Sequence, residues 1–247
     1  MRIGDGIEML GDASYGNVRA FLVVDDDEKL TLIDTLGEKH PFMILDAIRR
    51  LGFAPTELKR IYLTHAHFSH LAGLVALVQL SGAQVYVHEE EADMVRLLRE
   101  ADRLSLLPKR PYRAYFPFQL GAALGLGTSG TGKDRFDGFP VDPANYLDEG
   151  RQPKGRIEVI HAPGHTRGHL AFWIKTTGIL LAGDAVVTWP YEAGGWGSFT
   201  LDRIEQRETL AKLATLGPDV VGVGHGDPIA SNAKRRLRRL ADQAPEV

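Results

Sequence analysis

The sequence predicts an α/β protein made of two halves, each mixing strands with helices. Two observations carry this. Short β-branched and aromatic runs such as Arg60-Ile61-Tyr62-Leu63 alternate with longer runs of helical apolar period. His65, His67, His70, His165, Asp184 and His225 all lie just past the ends of such strands. In open α/β sheets the C-terminal edge of the strands is where ligands bind, so the halves would meet there and pool these side chains.

Residues 2–9 and 18–24 read as strands. Asp25-Asp26-Asp27-Glu28 is a polar turn, and Leu30 to Ile33 is the returning strand of a hairpin, with Asp34 at its end. From Pro41 to Leu51 the positions Phe42, Ile44, Leu45, Ile48 and Leu51 follow a helical period, with Pro at the start and Gly52 after the end. A strand over 60–63 leads into three histidines within six residues, Thr64-His65-Ala66-His67-Phe68-Ser69-His70. Leu71 to Leu80 reads as a buried helix, with Ser69 as its N-cap. Gln84 to Val87 is a strand, and Glu89 to Arg99 a helix whose acidic first turn suits the dipole. Further on, Ile157 to Ile160 is a strand. Leu170 to Ile174 and Ile179 to Leu181 form a hairpin across Thr176-Thr177-Gly178. Leu201 to Leu216 is helical, Val220 to Val223 is a strand, and Lys234 to Leu240 belongs to a terminal helix.

Between the halves, residues 103–154 change character, with prolines scattered among glycines and aromatics. A long irregular segment inside a compact domain is usually a lid or otherwise functional. Tyr112, Tyr115, Phe116 and Phe118 supply either an apolar wall or packing for this insertion. Gly127-Thr128-Ser129-Gly130-Thr131-Gly132-Lys133 matches the start of a phosphate-binding loop. Asp134 stands where Ser or Thr should hold magnesium, and no strand precedes it. It reads as a flexible glycine loop.

Composition narrows the function classes. A chain of 247 residues, 44% hydrophobic and 25% charged, is ordinary for a soluble globular protein and is read as one domain spanning 1–247. A net charge of -3 gives no general attraction to nucleic acid or anionic membrane. The run Lys234, Arg235, Arg236, Arg238 and Arg239 therefore reads as a solvated helix face. With no cysteine, disulfides, thiolate ligands and a Cys nucleophile are excluded. Met1-Arg2-Ile3-Gly4-Asp5-Gly6 has no apolar signal-peptide core, and Leu71 to Leu80 is about half a membrane span. The expectation is a cytoplasmic protein acting on a small-molecule substrate, its oligomeric state left open.

Neutral imidazole is the commonest protein metal ligand. Histidines at this density on a strand-end loop can converge on one or two ions. Four motifs in order, Thr64-His65-Ala66-His67-Phe68-Ser69-His70, Ala162-Pro163-Gly164-His165-Thr166, Leu181-Ala182-Gly183-Asp184 and Gly224-His225-Gly226, resemble those of the metallo-β-lactamase superfamily across nearly the whole chain. The resemblance implies a four-layer αββα sandwich with a metal site at one edge. It implies that His65, His67 and His165 hold a first ion and His70 and His225 a second. Asp184 bridges both, and water activated by the metal does the chemistry. Asp34 matches a supporting position outside the ligand set. His169 is a further candidate for that role; His161, His40 and His88 read as ordinary structural or surface residues.

One position departs from the pattern. The superfamily usually has Asp where this chain has Ser69, so the second ion loses an oxygen ligand and a compensating charge. The ligand set suits zinc, and iron, manganese or cobalt are compatible. Three functions fit: a metal-dependent hydrolase of a small ester, lactone or thioester; a mononuclear iron oxygenase resembling the persulfide dioxygenases; and a weakly active or non-catalytic metal-binding relative.

Overall fold

Two sheets face each other across an apolar layer, and helices cover their outer faces. The computed structural model describes residues 1–11, 14–37, 41–96, 138–150, 155–196 and 199–243. Among these, the first sheet runs in the order β1 (Arg2–Gly4), β2 (Ile7–Gly11), β3 (Arg19–Val24), β4 (Leu30–Ile33), β5 (Leu58–Tyr62), β6 (Gln84–His88) and β7 (Tyr146–Leu147). It is antiparallel from β1 to β4 and parallel from β4 to β7. The second sheet contains β8 (Glu158–His161), β9 (Leu170–Ile174), β10 (Ile179–Leu181) and β13 (Val220–Gly222), in the order β13-β10-β9-β8. A ribbon of β11 (Val186–Val187) and β12 (Ala193–Gly194) stands beside it.

Strands covered on both faces read as continuous apolar runs, and the period of two sorts their side chains. In β3, Phe21 and Val23 face the other sheet while Ala20 and Leu22 face helices. In β9, Leu170, Phe172 and Ile174 point inward, and Ala171 and Trp173 outward. At the centre Tyr62 stacks on Phe172, ring centroids 5.6 Å apart. Of the helices, α1 (Ser14–Asn17) and α3 (Phe68–Leu71) are single turns. The longer α2 (Phe42–Arg50), α4 (Leu74–Ser81) and α5 (residues 89–96) cover the first sheet. On the second sheet lie α6 (Arg203–Thr215) and α7 (Ala233–Gln243), through Leu210, Leu213, Leu237 and Leu240. This is the αββα sandwich. β4, β5, β8, β10 and β13 all end at the same edge, which sets the loops carrying Asp34, His65, His165, Asp184 and His225 side by side.

The structure corrects three expectations. Residues 2–9 are two short strands, because Gly6, at φ 64°, turns the chain between them. Ser69 is not the cap of a helix beginning at Leu71. The chain enters α3 at His67, whose backbone is extended, and the His70 N–H donates to the His67 carbonyl at 2.9 Å. Folding His70 inward thus makes a turn three residues early, with Ser69 inside it, and α4 starts only at Leu74. Residues 143–147, within the expected 103–154 insertion, are not irregular. Asp142 caps a 3₁₀ turn at Pro143–Asn145, and β7 adds a parallel strand beside β6. Tyr112, Tyr115, Phe116, Phe118, the 127–133 glycine loop and His40 lie outside the described residues.

On α7, Arg236 and Arg239 both pair with Glu192, which partly neutralises the basic run. No helix among the described residues is long and apolar enough to cross a membrane.

Phe172→Ala removes the ring at the centre of the inter-sheet layer. It should cost about 3–5 kcal/mol. Leu80→Ala, on an exposed α4 position, should cost about 0.5 kcal/mol or less. Urea unfolding of both variants checks the contrast.

Candidate metal centre

The loop after β5 turns back on itself, so His65 and His67 face the same point. The β8–β9 loop brings His165 to it from the other sheet. His67 Nδ1 lies 3.0 Å from both His65 Nε2 and His165 Nε2. Asp184, in the 3₁₀ turn after β10, places Oδ2 3.3 Å from His165 Nε2 and 3.9 Å from His65 Nε2. Its other oxygen, Oδ1, lies 3.3 Å from His70 Nε2 and 3.5 Å from His225 Nε2, and these two nitrogens are 3.2 Å apart. The six side chains form two groups sharing one carboxylate, with donor atoms within 4.8 Å of one another in each group. Gly224 makes room for that carboxylate, since a Cβ there would collide with Asp184 Oδ1.

Proton accounting shows which way the lone pairs point. Thr64 has one hydroxyl proton and donates it to Asp34 Oδ2 at 2.8 Å. The same hydroxyl, 2.9 Å from His65 Nδ1, must therefore accept from that nitrogen, leaving the His65 Nε2 lone pair facing the cluster. His70 Nδ1 donates to Asp34 Oδ2 at 2.9 Å and His225 Nδ1 donates to the Gly16 carbonyl at 2.8 Å. Their Nε2 atoms also face inward. Trp196 packs against the His225 ring, centroids 3.7 Å apart. Asp34 itself sits at φ 60°, a left-handed conformation that Asp tolerates, and its Oδ1 accepts the Thr64 N–H at 2.8 Å.

Burial sets the charge states. It drives His65 and His165 well below the ordinary imidazole range and His67 down to about 4. Neutral imidazole is the liganding form. Burial also opposes a charge on His70, but Asp184 and Asp34 outweigh it and hold its pKa up at about 10. Burial likewise works against the Asp184 carboxylate, and His225 and His70 overcome it, keeping the group well below the usual carboxylate range. Asp184 is 0% exposed, and neither of its oxygens accepts a hydrogen bond of good geometry. A buried carboxylate flanked by imidazole nitrogens and accepting no well-formed hydrogen bond suits a cation, which would displace the proton that His70 carries on Nε2. The residues fit divalent metal: three nitrogens and an oxygen at one position, two nitrogens and an oxygen at the other.

His169 lies beside the cluster. Its Nε2 accepts the Asp184 N–H at 3.1 Å, so it holds the backbone of the shared carboxylate, and burial pushes its pKa down to about 3. Ser69 is half-buried on α3. His88 and His161, expected to be ordinary, stack with centroids 4.7 Å apart near Asp148. His88 Nδ1 accepts the Glu90 N–H at 3.1 Å, which leaves the proton of the neutral ring on Nε2, the atom facing Asp148. That tautomer disfavours a metal there. Thr64, the Gly16 carbonyl and Glu91 carry no sequence signal of the contacts they make here. Glu91 accepts the backbone N–H groups of Ala66 and Gly168, each at 3.0 Å. Burial pushes its carboxyl up from the usual range, against the pull of those two donors.

The model of the metallo-beta-lactamase superfamily matches residues 14–225. The chain belongs to that superfamily. One relative, "Probable metallo-hydrolase YflN" of Bacillus subtilis (strain 168), is 26% identical over 246 residues, covering 94% of this chain and 88% of its own. "Hydroxyacylglutathione hydrolase GloC" of Haemophilus influenzae is 25% identical over 228 residues, covering 87% and 88%. Among solved structures, the metallo-beta-lactamase family protein TTHA1429 from Thermus thermophilus superposes with a TM-score of 0.68 at 26% identity, over 97% of this chain and 78% of that one. TTHA1623, solved in a di-iron-bound form, gives 0.66 at 24% identity over 96% and 98%, a likeness of fold.

Asp34→Asn tests the proton accounting. Asn tolerates the left-handed backbone but cannot accept from Thr64 N, Thr64 Oγ1 and His70 Nδ1 together. His70 should then turn a proton inward, and metal affinity should fall about 10–100-fold. Chelator competition reads the affinity, and circular dichroism should show the fold retained.

Proposed function

We propose that this superfamily member hydrolyses a small thioester, ester or lactone, using one or two divalent ions, zinc foremost with iron or manganese as alternatives. The observation carrying the reading is the buried Asp184 carboxylate, set between two groups of imidazoles and accepting no hydrogen bond. A thioester is favoured within the class because a relative spanning most of both chains bears the name hydroxyacylglutathione hydrolase.

His65, His67 and His165 would hold the first ion with Asp184 Oδ2; His70 and His225 would hold the second with Asp184 Oδ1. A divalent ion bound there would polarise an acyl carbonyl and lower the pKa of water toward about 7. The chain's own residues do the rest. Thr64 and Asp34 keep the protons of His65 and His70 on Nδ1, Gly16 does the same for His225, and His169 fixes the Asp184 backbone. No side-chain nucleophile is needed. The chain has no cysteine, and no imidazole among the described residues hydrogen-bonds Ser69 to act as its base. Ser69 leaves the second ion one carboxylate short of the usual superfamily set, so that ion binds more weakly than the first.

Metal-free protein reconstituted with zinc, manganese or iron(II) should be assayed on an S-acylglutathione, an aliphatic lactone and a nitrophenyl ester. Metal-dependent turnover of at least one class is expected, with His67→Ala lowering kcat/KM by more than about 100-fold, beyond the range of outer partners. A metal-loaded protein inert toward all three, or an iron protein that consumes oxygen with a persulfide, would overturn the reading. Ser69→Asp should tighten the second ion about tenfold or more, the scale of one added ligand-shell group. Chelator titration past one equivalent measures it, and equal affinities in both proteins would refute the Ser69 assignment.

A further inference from the structure

We propose that Glu91 is a positioning residue for the first metal position, a carboxylate clamp holding the His65/His67 loop in register with the His165 loop. The inference rests on the ligand assignment above. Glu91 is on α5 and only 3% exposed, whereas its neighbours Glu89 and Glu90 face solvent. Burying a carboxylate is costly unless its oxygens are satisfied. Both are, and both donors belong to loops that carry candidate ligands. Oε2 accepts from the N–H of Ala66, the residue between His65 and His67; Oε1 accepts from Gly168, in the loop that carries His165.

The two loops come from opposite sheets. Ala66 follows β5 in the first sheet, and Gly168 lies between β8 and β9 in the second. The carboxylate therefore ties the halves together beside the point where their nitrogens meet, with His67 Nδ1 at 3.0 Å from His65 Nε2 and from His165 Nε2. Metal–ligand distances tolerate only about ±0.2 Å, so a small slip of either loop spoils the position. Hydrogen bonds from backbone N–H to a carboxylate are the stronger, charge-assisted kind. The approach is also tight. A Cβ on Gly168 would lie 2.8 Å from Glu91 Cγ and 2.8 Å from His88 Nδ1, so only glycine brings this N–H to the carboxylate. On its other side the His165 loop is held by the segment that leads into α6, through Leu201 N–H to the His165 carbonyl at 3.1 Å and Asp202 N–H to the Gly164 carbonyl at 2.9 Å. Glu91 supplies the restraint toward the first sheet.

Glu91→Gln keeps size and shape but replaces one acceptor with a donor that faces a backbone N–H. Glu91→Asp keeps the charge and falls one methylene short. Zinc affinity of the first equivalent is measured by competition with a chromophoric chelator, together with Tm for the metal-free and zinc-loaded forms. Glu91→Gln should weaken the first zinc about tenfold or more, within the range for outer partners of a metal site. It should also shrink the rise in Tm that zinc produces; Glu91→Asp should lose less. A merely structural role would lower the metal-free Tm and leave zinc affinity unchanged, and that result overturns the clamp. If Glu91→Gln does not fold, Glu91→Asp is read in the same titration, where unchanged affinity again overturns it. A wild-type protein that takes up no zinc overturns the ligand assignment and the clamp with it, whereas zinc-binding wild type with an equally tight Glu91→Gln overturns the clamp alone.

Discussion

Everything at the candidate site depends on one buried carboxylate. Asp184 is fully enclosed and accepts no hydrogen bond of good geometry, yet four imidazole nitrogens stand 3.3–3.9 Å from its oxygens. A lone buried charge of this kind is expensive, and a carboxylate with no donor would ordinarily take up a proton. Here His225 and His70 keep it ionised, and Asp34 adds a second negative charge behind His70. The fold concentrates negative charge at the sheet edge. Its geometry divides that charge, with one oxygen facing His65, His67 and His165 and the other facing His70 and His225.

The supporting residues act on protons and on backbone. A cluster of imidazoles is useful to a cation only if each ring turns a lone pair inward, and either nitrogen can carry the proton. Asp34 settles this for His70 directly and for His65 through the single proton of Thr64. One aspartate thereby holds the Nδ1 proton of a residue in each group. His169 and Glu91 work on the main chain, the first at Asp184 and the second at Ala66 and Gly168. Both are buried ionisable side chains that would be difficult to explain by packing alone.

Much of this was legible in the sequence because its signals are local. Strand cores buried on both faces give apolar runs, and a ligand just past such a run sits at the shared edge. That places Asp34, His65, His165, Asp184 and His225 without knowledge of how the sheets pack. The supporting residues were harder to read, because their roles arise only from tertiary contact. Glu91 hides in a run of three glutamates that reads as an ordinary acidic helix start, and nothing in the run marks the third as buried. Thr64 looks like a strand-end residue until its hydroxyl is seen between Asp34 and His65. The cap assigned to Ser69 failed for a related reason. Propensity favours Ser at a helix start, but the need to turn His70 inward folds the chain into a helical turn from Phe68. β7 was missed because two residues carry no periodicity of their own, and only the exposed edge of β6 makes them a strand.

The two candidate metal positions are unequal in how they are assembled. The first draws His65 and His67 from one sheet edge and His165 and Asp184 from the other, so it forms only when the halves are in register. Glu91 spans the same junction. The second draws His70 from the first half and His225 from the second, with Asp184 shared, and Ser69 brings no charge to it. Electrostatics and ligand count therefore point the same way. The first position combines three neutral nitrogens with the shared carboxylate. The second depends on that carboxylate and on Asp34, whose charge reaches it through the His70 ring. An ion at the second position would thus rely on Asp184 more heavily than one at the first, and the carboxylate shared by the two positions would couple their occupancy.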